Sequence, residues 1–371
     1  MLTSKYLDLA TQRVYAALPR FTYSSQNHSS VDNIYPAVAN DQWTSGFWPG
    51  QIWLSYLYTG DPVFKHAGLI QSESLLARIK AKISVDHHDM GFLYTPSCIA
   101  AWAITGDERS REAALLAADQ MLTRFQEKGG FFQAWGEMRS PKNYRYIIDC
   151  LMNLPLLYWA TKETNNTEYA EKANIHAATT LANSIREDGS THHTFYMDSY
   201  TGKPIRGETC QGYDDNSSWA RGQAWAIYGA AICYRYTNDK KWLDVFNRVS
   251  AYFTDRLPKD LVPYWDLIFV SGDEPRDSSS SAITACGLLE MSTLTGNKKN
   301  DLTARKMTES LATSYAATSN SDGLLLHGTY SKKTPYNTCT EEGVDECLTW
   351  GDYFYLEALM RLHKPDWKPY W

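Results

Sequence analysis

Six times along the chain an apolar, helix-like run opens on a polar or aromatic cluster and closes on a short turn, five times at a threonine followed by glycine or asparagine. The copies begin near Asp41, His88, Tyr146, Trp219, Ser278 and Glu346. Their closing threonines, Thr59, Thr105, Thr164, Thr237 and Thr295, with the end of the last run near Arg361, stand about 46 to 73 residues apart. That spacing is close to that of helical-hairpin repeats, which bury a continuous core by stacking on their neighbours. Between the copies lie segments of mixed polarity, at about 62–82, 107–128, 167–187, 240–256 and 299–317, where alanines, leucines and charges recur three and four apart. They read as helices with one wet face, whereas the six runs are apolar nearly all round. An inner ring of apolar helices inside an outer ring of amphipathic ones is an all-α double toroid of six hairpins. With 371 residues, 43% of them apolar, the chain could bury one core or two. No Pro/Gly/Ser-rich linker separates the copies, so residues 1–371 read as a single domain. Short two-stranded pieces are expected around Gly129-Gly130, Asp188-Gly189 and the polar stretch 194–218.

Within each copy the residue able to do chemistry sits at the opening: Trp43, Asp89, Asp149, Arg221, Ser279 and Asp352. If all inner helices run the same way, these residues gather at one end of the toroid. Trp43, Trp48, Trp135, Trp219, Trp225 and Trp350 also lie in or near the openings, beside Gly, Asp, Gln and Arg. Flat rings fringed by hydrogen-bonding groups suit the faces and hydroxyls of a sugar, although the same rings serve equally to plug a barrel end.

Asp149, in YIIDCLMNLPLLYW, has only Asn153 as a strongly polar neighbour. A carboxylate in apolar surroundings is costly, so its pKa rises unless donors reach it, and a raised carboxyl is a usable general acid. Asp89, in DHHDMGF, opens the second run, with Asp86 as a competing candidate. Both Asp89 and Asp149 equally suit helix N-caps. Facing one another, two such carboxylates would push one pKa up further. Arg221, in WARGQAW, offers a fork for a carboxylate or a pair of hydroxyls, or pairs with an internal acid such as Asp214 or Asp215. His193 and Gln211 flank the long polar linker, as donors into a pocket or as loop scaffold.

Other chemistries are disfavoured. A formal net charge of -6 with no basic run argues against a nucleic-acid partner. The N-terminal segment carries Lys5, Asp8 and Arg13 among its apolar residues, as an amphipathic helix does and a signal peptide does not. No apolar stretch is long enough to cross a bilayer, so no membrane partner is expected. The seven cysteines, scattered through apolar runs, read as buried reduced thiols of a cytoplasmic protein. His87-His88 and His192-His193 are adjacent rather than four apart and no Cys-x-x-Cys exists, so neither metal nor other cofactor is expected. No nucleophile elbow, phosphate loop or dinucleotide fingerprint is present.

The segments HDMGF around Asp89, YIIDCLMNLPLLYWA around Asp149, SSWARGQAWAIYG around Arg221 and DECLTWGDYFYLEALMRL near the end closely resemble the unsaturated glucuronyl hydrolases, glycoside hydrolase family 88. The resemblance covers nearly the whole chain. It implies an (α/α)6 barrel and a cytoplasmic enzyme acting on unsaturated uronyl oligosaccharides released by polysaccharide lyases. It further implies Asp149 as general acid and base, Asp89 as the second essential carboxylate, Trp43 and Trp135 as stacking surfaces, and His88, His193, Gln211, Arg221 and Trp225 as positioning groups. Three rivals stand beside it: the same fold acting on unsaturated rhamnogalacturonan fragments, a non-catalytic sugar-binding toroid, and a sugar epimerase, which would want paired histidines where this chain has aspartates. In the loop 331–343, Lys332 and Lys333 are candidates to meet a sulfate or uronate carboxylate, or are solvated. Tyr336 there is a candidate pocket residue.

Overall fold

The structure is a computed structural model describing residues 2–318 and 320–371. Outer helix α1 (Leu2–Phe21) leads into inner helix α2 (Phe47–Thr59), and outer α3 (Pro62–Lys80) into the second inner rod. That rod is α4 (Met90–Tyr94) continued through a π-helical turn at Thr95–Ile99 into α5 (Ala100–Thr105). Pro96, which has no N–H to give, sits in that turn. Outer α6 (Glu108–Leu122) leads to α7 (Leu154–Thr164), entered through a 3-10 turn at Ile148–Met152. The remaining pairs are α8 (Glu168–Ser184) with α9 (Ala220–Thr237), α10 (Lys240–Thr254) with α11 (Ser278–Thr295), and α12 (Lys298–Ser310) with α13 (Thr349–His363).

The inner rods form a closed ring: α2 packs on the π turn, α4 on α7, the turn before α7 on α9, α9 on α11, α11 on α13, and α13 back on α2. The amphipathic N-terminal helix lies against α13 and α2 and so completes the outer ring. This is the expected (α/α)6 barrel. Its axis is filled with rings, Trp371 stacking on Phe354 at 5.6 Å and meeting Phe92 edge-on at 6.2 Å.

The recurrent threonines mark the ends of the inner helices. Thr59, Thr105, Thr164 and Thr237 each donate a hydroxyl to the carbonyl four residues back and accept the amide two residues on. The next residue, Gly60, Gly106, Asn165 or Asn238, takes the left-handed conformation that stops the helix. An Asp or Asn then caps the following outer helix at Asp61, Asp107, Asp239 and Asn297. These tight turns occupy one end of the toroid.

The long loops all fall at the other end, between the C-terminus of each outer helix and the N-terminus of the next inner one. Three of them are gathered by an arginine at or just past the outer helix end, where a cation also complements the helix dipole. Arg78, 2% exposed, uses all five N–H groups of its guanidinium, on Ile83 O, Asn40 Oδ1, Gln42 O, Asp41 O and Ser84 O. Arg124 donates to Gln133 O, Gly136 O and Asp86 Oδ1. Arg186 donates to Thr191 O, Ser217 O and Asp215 O. Of the expected two-stranded pieces, Phe125–Gln126 pairs with Phe131–Phe132 across Gly129-Gly130, Asp188-Gly189 is spanned by a single bridge from Ile185 to Thr191, and Thr194–Met197 and Pro204–Glu208 join Arg145–Ile147 in an antiparallel three-stranded sheet.

One glycine sets the distance between two inner helices. A Cβ on Gly91 would lie 2.3 Å from the Asn153 Cα, so α4 and the start of α7 touch backbone to backbone there. Gly91→Ala is therefore expected to force the two helix starts apart, lowering the melting temperature and any activity that depends on Asp89 and Asp149 facing each other. Thermal unfolding and a rate measurement on the variant check this.

Candidate active site

Where the long loops converge lies a cavity of about 340 Å³ lined by Asp41, Trp43, Ser84, His87, His88, Asp89, Trp135, Ile147, Asp149, His193, Gln211, Trp219, Arg221, Trp225 and Tyr330. The nine residues that the family resemblance singled out, Asp149, Asp89, Trp43, His88, Trp135, His193, Gln211, Arg221 and Trp225, are all among them. Two opening residues are not. Ser279 is tied to Asp277 and accepts the Trp350 indole N–H, and Asp352 is buried between Tyr35 and the Leu325 amide. The tryptophans divide likewise: Trp48 and Trp350 are buried with their N–H groups on Phe21 O and Ser279, and the other four face the cavity.

Asp89 stands at the N-cap of α4 but makes no capping bond. Its carboxylate instead faces two histidines, His87 Nδ1 at 3.2 Å and His88 Nε2 at 3.3 Å. Asp86 is exposed and paired with Arg124. Asp149 lies inside the 3-10 turn, whose N-cap position is Ile147. Its Oδ1 lies 3.6 Å from His88 Nε2 and has no hydrogen-bond partner, and neither ring nitrogen of His88 has one. Unpartnered buried polar atoms converging on a cavity are what a ligand site presents before its ligand arrives.

The two carboxyls are driven in opposite directions. Burial holds Asp149 well above the usual carboxylate range and the charge of Asp89 adds to this, against weaker opposition from Arg221 and nearby amides. Burial also raises Asp89, but His88, His87 and a hydrogen bond from Asn153 outweigh it and the net direction is down. Burial pushes His88 down to about 4, so at neutral pH that imidazole is uncharged and the Asn153 side chain is left to bond the Asp89 carboxylate. The pair thus carries one proton, on Asp149, and one negative charge, on Asp89.

His193 is placed by sheet register. Ile147 pairs with Thr194, and the Ile148 amide donates to His193 O at 3.0 Å, setting His193 beside Asp149. Its Nδ1 accepts the amides of Cys210 and Gln211 at 3.1 and 3.3 Å, so the neutral ring carries its proton on Nε2. Burial and then Arg221 and Arg145 push its pKa down to about 3. Arg221 is paired with Asp277 at 3.0 Å rather than with Asp214 or Asp215, and donates further to Thr329 O and Tyr330 O. Gln211 Nε2 also donates to Tyr330 O. Trp225, one helical turn beyond Arg221 on α9, and Trp43, stacked on Trp350 at 5.2 Å, form walls. Trp135, 42% exposed, lies at the rim with the Arg145 guanidinium 4.7 Å from its ring.

Tyr330 lies outside the sequence-derived set. It lies on the strand Gly328–Ser331, its hydroxyl bonded to Trp43. The aromatic residue of GTYS was its one visible signal. Tyr336, expected near the cavity, is 61% exposed and leans on Tyr213. Lys332 is paired with Glu274 and Lys333 donates to Asn337 O, so neither ammonium faces the cavity. Among the described residues no helix is long and apolar enough to cross a membrane, and all seven cysteines are unpaired thiols, six of them buried.

A toroid of helical hairpins with a tryptophan-walled acid and base pair at its open end defines a carbohydrate-directed enzyme. The chain belongs to glycosyl hydrolase family 88, whose model matches residues 18–359. It is 45% identical to the unsaturated chondroitin disaccharide hydrolase of Streptococcus pyogenes serotype M1, over 98% of this chain and 92% of that one. The crystal structure of the unsaturated glucuronyl hydrolase from Streptococcus agalactiae superposes with a TM-score of 0.96 at 42% identity, covering 100% of this chain and 94% of that chain. A mutant of that enzyme complexed with dGlcA-GalNAc6S gives 0.87 at 38%, covering 100% and 93%.

Two outcomes are expected. In Arg78→Lys at most three of five donor bonds survive; at about 1–3 kcal/mol for each buried acceptor left bare, stability should fall by about 2–6 kcal/mol in denaturant unfolding. The accompanying shift of Trp43 and Asp89 should lower turnover by about 10–100-fold. Asp149→Asn should melt no lower than the parent at pH 8. The folded pKa of Asp149 lies above its unfolded value of about 3.9, so the native protein binds an extra proton and loses stability as pH rises through that window. The amide is free of this penalty, and its advantage in calorimetry should shrink as pH falls toward about 4.

Proposed function

We propose that this chain is a hydrolase that removes 4,5-unsaturated glucuronic acid from the non-reducing end of lyase-generated, glycosaminoglycan-type oligosaccharides. The observation that carries the reading is that Asp89 and Asp149 converge on His88, at 3.3 and 3.6 Å, in a tryptophan-walled cavity, where burial drives the Asp149 pKa up while Asp89 is driven down. The names of the relatives support the substrate class. We further take residues 1–371 to be one catalytic domain working in the cytoplasm.

The unsaturated ring is a vinyl ether, reactive at C4 toward acid. Asp149 gives its proton to C4 and the positive charge left at C5 is shared with the ring oxygen. Water adds at C5 while the ionised Asp149 takes the proton released, which restores the starting state. The hemiketal opens, and the hemiacetal exposed at C1 expels the neighbouring sugar. One water is consumed per glycosidic bond. Because attack is not at the anomeric carbon, carboxylate separation carries no retaining or inverting information. Asp89 holds substrate hydroxyls and, by its charge, keeps the proton on Asp149. Trp43 and Trp135 stack on the sugars. His88, the Nε2–H of His193, Gln211, Trp225 and the remaining N–H groups of Arg221 position the ring and its carboxylate.

The test follows ultraviolet absorbance of the conjugated C4=C5 bond with unsaturated disaccharides from chondroitin, hyaluronan, heparin and rhamnogalacturonan. Loss of absorbance with glucuronyl disaccharides is expected; loss with the rhamnogalacturonan product alone overturns the assignment. Asp149→Asn should lower the rate by at least about a thousandfold while substrate binding persists. The rate should fall at high pH as Asp149 loses its proton and at low pH as Asp89 gains one. In Asp89→Asn, with the like charge gone, the high-pH limb should move to lower pH.

A further inference from the structure

We infer that His88, Asp89 and Asp149 form a binding site for a single zinc ion, which shuts the substrate out. The ion site stands on geometry alone; only its inhibitory consequence rests on Asp149 being the proton donor. His88 Nε2 lies 3.3 Å from Asp89 Oδ1 and 3.6 Å from Asp149 Oδ1, and the three ligand atoms lie within 4.8 Å of one another. Around zinc, with bonds of about 2.0–2.2 Å, the corners of the tetrahedron stand about 3.3–3.6 Å apart. Two edges are therefore already set, and carboxylate rotation closes the third. The imidazole is 0% exposed with both ring nitrogens unpartnered, and Asp149 Oδ1 is unpartnered beside it.

The donor set also selects the ion. One imidazole nitrogen and two carboxylates suit zinc, whereas magnesium and calcium require six or more oxygens. His87 donates its Nε2–H to Ser84 O at 2.9 Å and accepts the Asp89 amide on Nδ1 at 3.1 Å, outer support that fixes the backbone carrying the metal-binding carboxylate. The fourth corner faces the cavity, where water completes the tetrahedron. Chain spacing predicted no metal because the ligands come from two helix starts some sixty residues apart, joined in space by the contact at Gly91.

The test uses the full chain stripped with EDTA. Calorimetric titration with zinc chloride should give one ion per chain, and a zinc-soaked crystal one anomalous peak between the three side chains. His88→Gln should weaken binding at least about tenfold with an unchanged circular-dichroism spectrum; if that variant does not fold, Asp149→Asn should show the same weakening. Zinc should raise KM for the unsaturated disaccharide, reversibly with EDTA. No stoichiometric binding, a peak at surface histidines or at Cys210, or undiminished affinity in the variants overturns the site. Binding at the cluster without inhibition overturns the exclusion of substrate. Hydrolysis is assayed on the stripped chain and zinc affinity without substrate, so either can fail alone.

Discussion

Two carboxyl groups buried against one neutral imidazole cannot both ionise cheaply, and the rest of the active end is arranged around that fact. Asymmetry between them is what makes the pair useful. Asp89 is given His87 and Asn153, while Asp149 keeps one oxygen without any partner. A symmetric environment would have left the proton shared and neither group committed to a role. The asymmetry comes from the backbone. Gly91 lets α4 rest on Asn153, which brings the two acids together while its side chain serves Asp89 and the Phe92 amide.

The toroid separates two demands. At one end, each inner helix must reverse in a few residues, and a Thr-Gly/Asn-Asp turn does this with local hydrogen bonds. At the other, long loops must hold side chains at fixed positions around a cavity, and local hydrogen bonding cannot span them. Buried guanidinium groups and a small antiparallel sheet take over there. Rigid walls and a few unsatisfied atoms at their centre are the result.

The fold was legible because its signals are local. The threonine turns repeat, the inner runs lack a wet face, and each can be read without knowing its neighbours. The site was legible in residue type but not in role. Sequence could not decide whether Asp89 and Asp149 cap helices, since that depends on where the side chain turns. It could not find Asp277 as the partner of Arg221 because that pair closes across 56 residues, and Asp214 and Asp215 were merely nearer along the chain. Trp48 and Trp350 carry the same sequence signal as Trp43 and Trp225, because which rings line the cavity is decided only in the assembled ring. Tyr330 and Tyr336, six residues apart, carry the same sequence signal, because strand register alone decides which aromatic faces inward. The lysine pair at 332–333 shows only its charge in the sequence, since Glu274, the partner of Lys332, lies 58 residues away along the chain.

The arginine clamps have one more consequence. Most of their acceptors are main-chain carbonyls, a feature that every amino acid supplies. Apart from its bond to the Asn40 side chain, Arg78 therefore recognises the path of the loops at 41–42 and 83–84 rather than their composition. Side chains along those loops are free to diversify, and the scaffold can be retooled for another sugar by point substitution, provided the number of residues between one carbonyl and the next stays the same. Tolerance here is metric rather than chemical: a deletion of one residue should do more harm than many replacements.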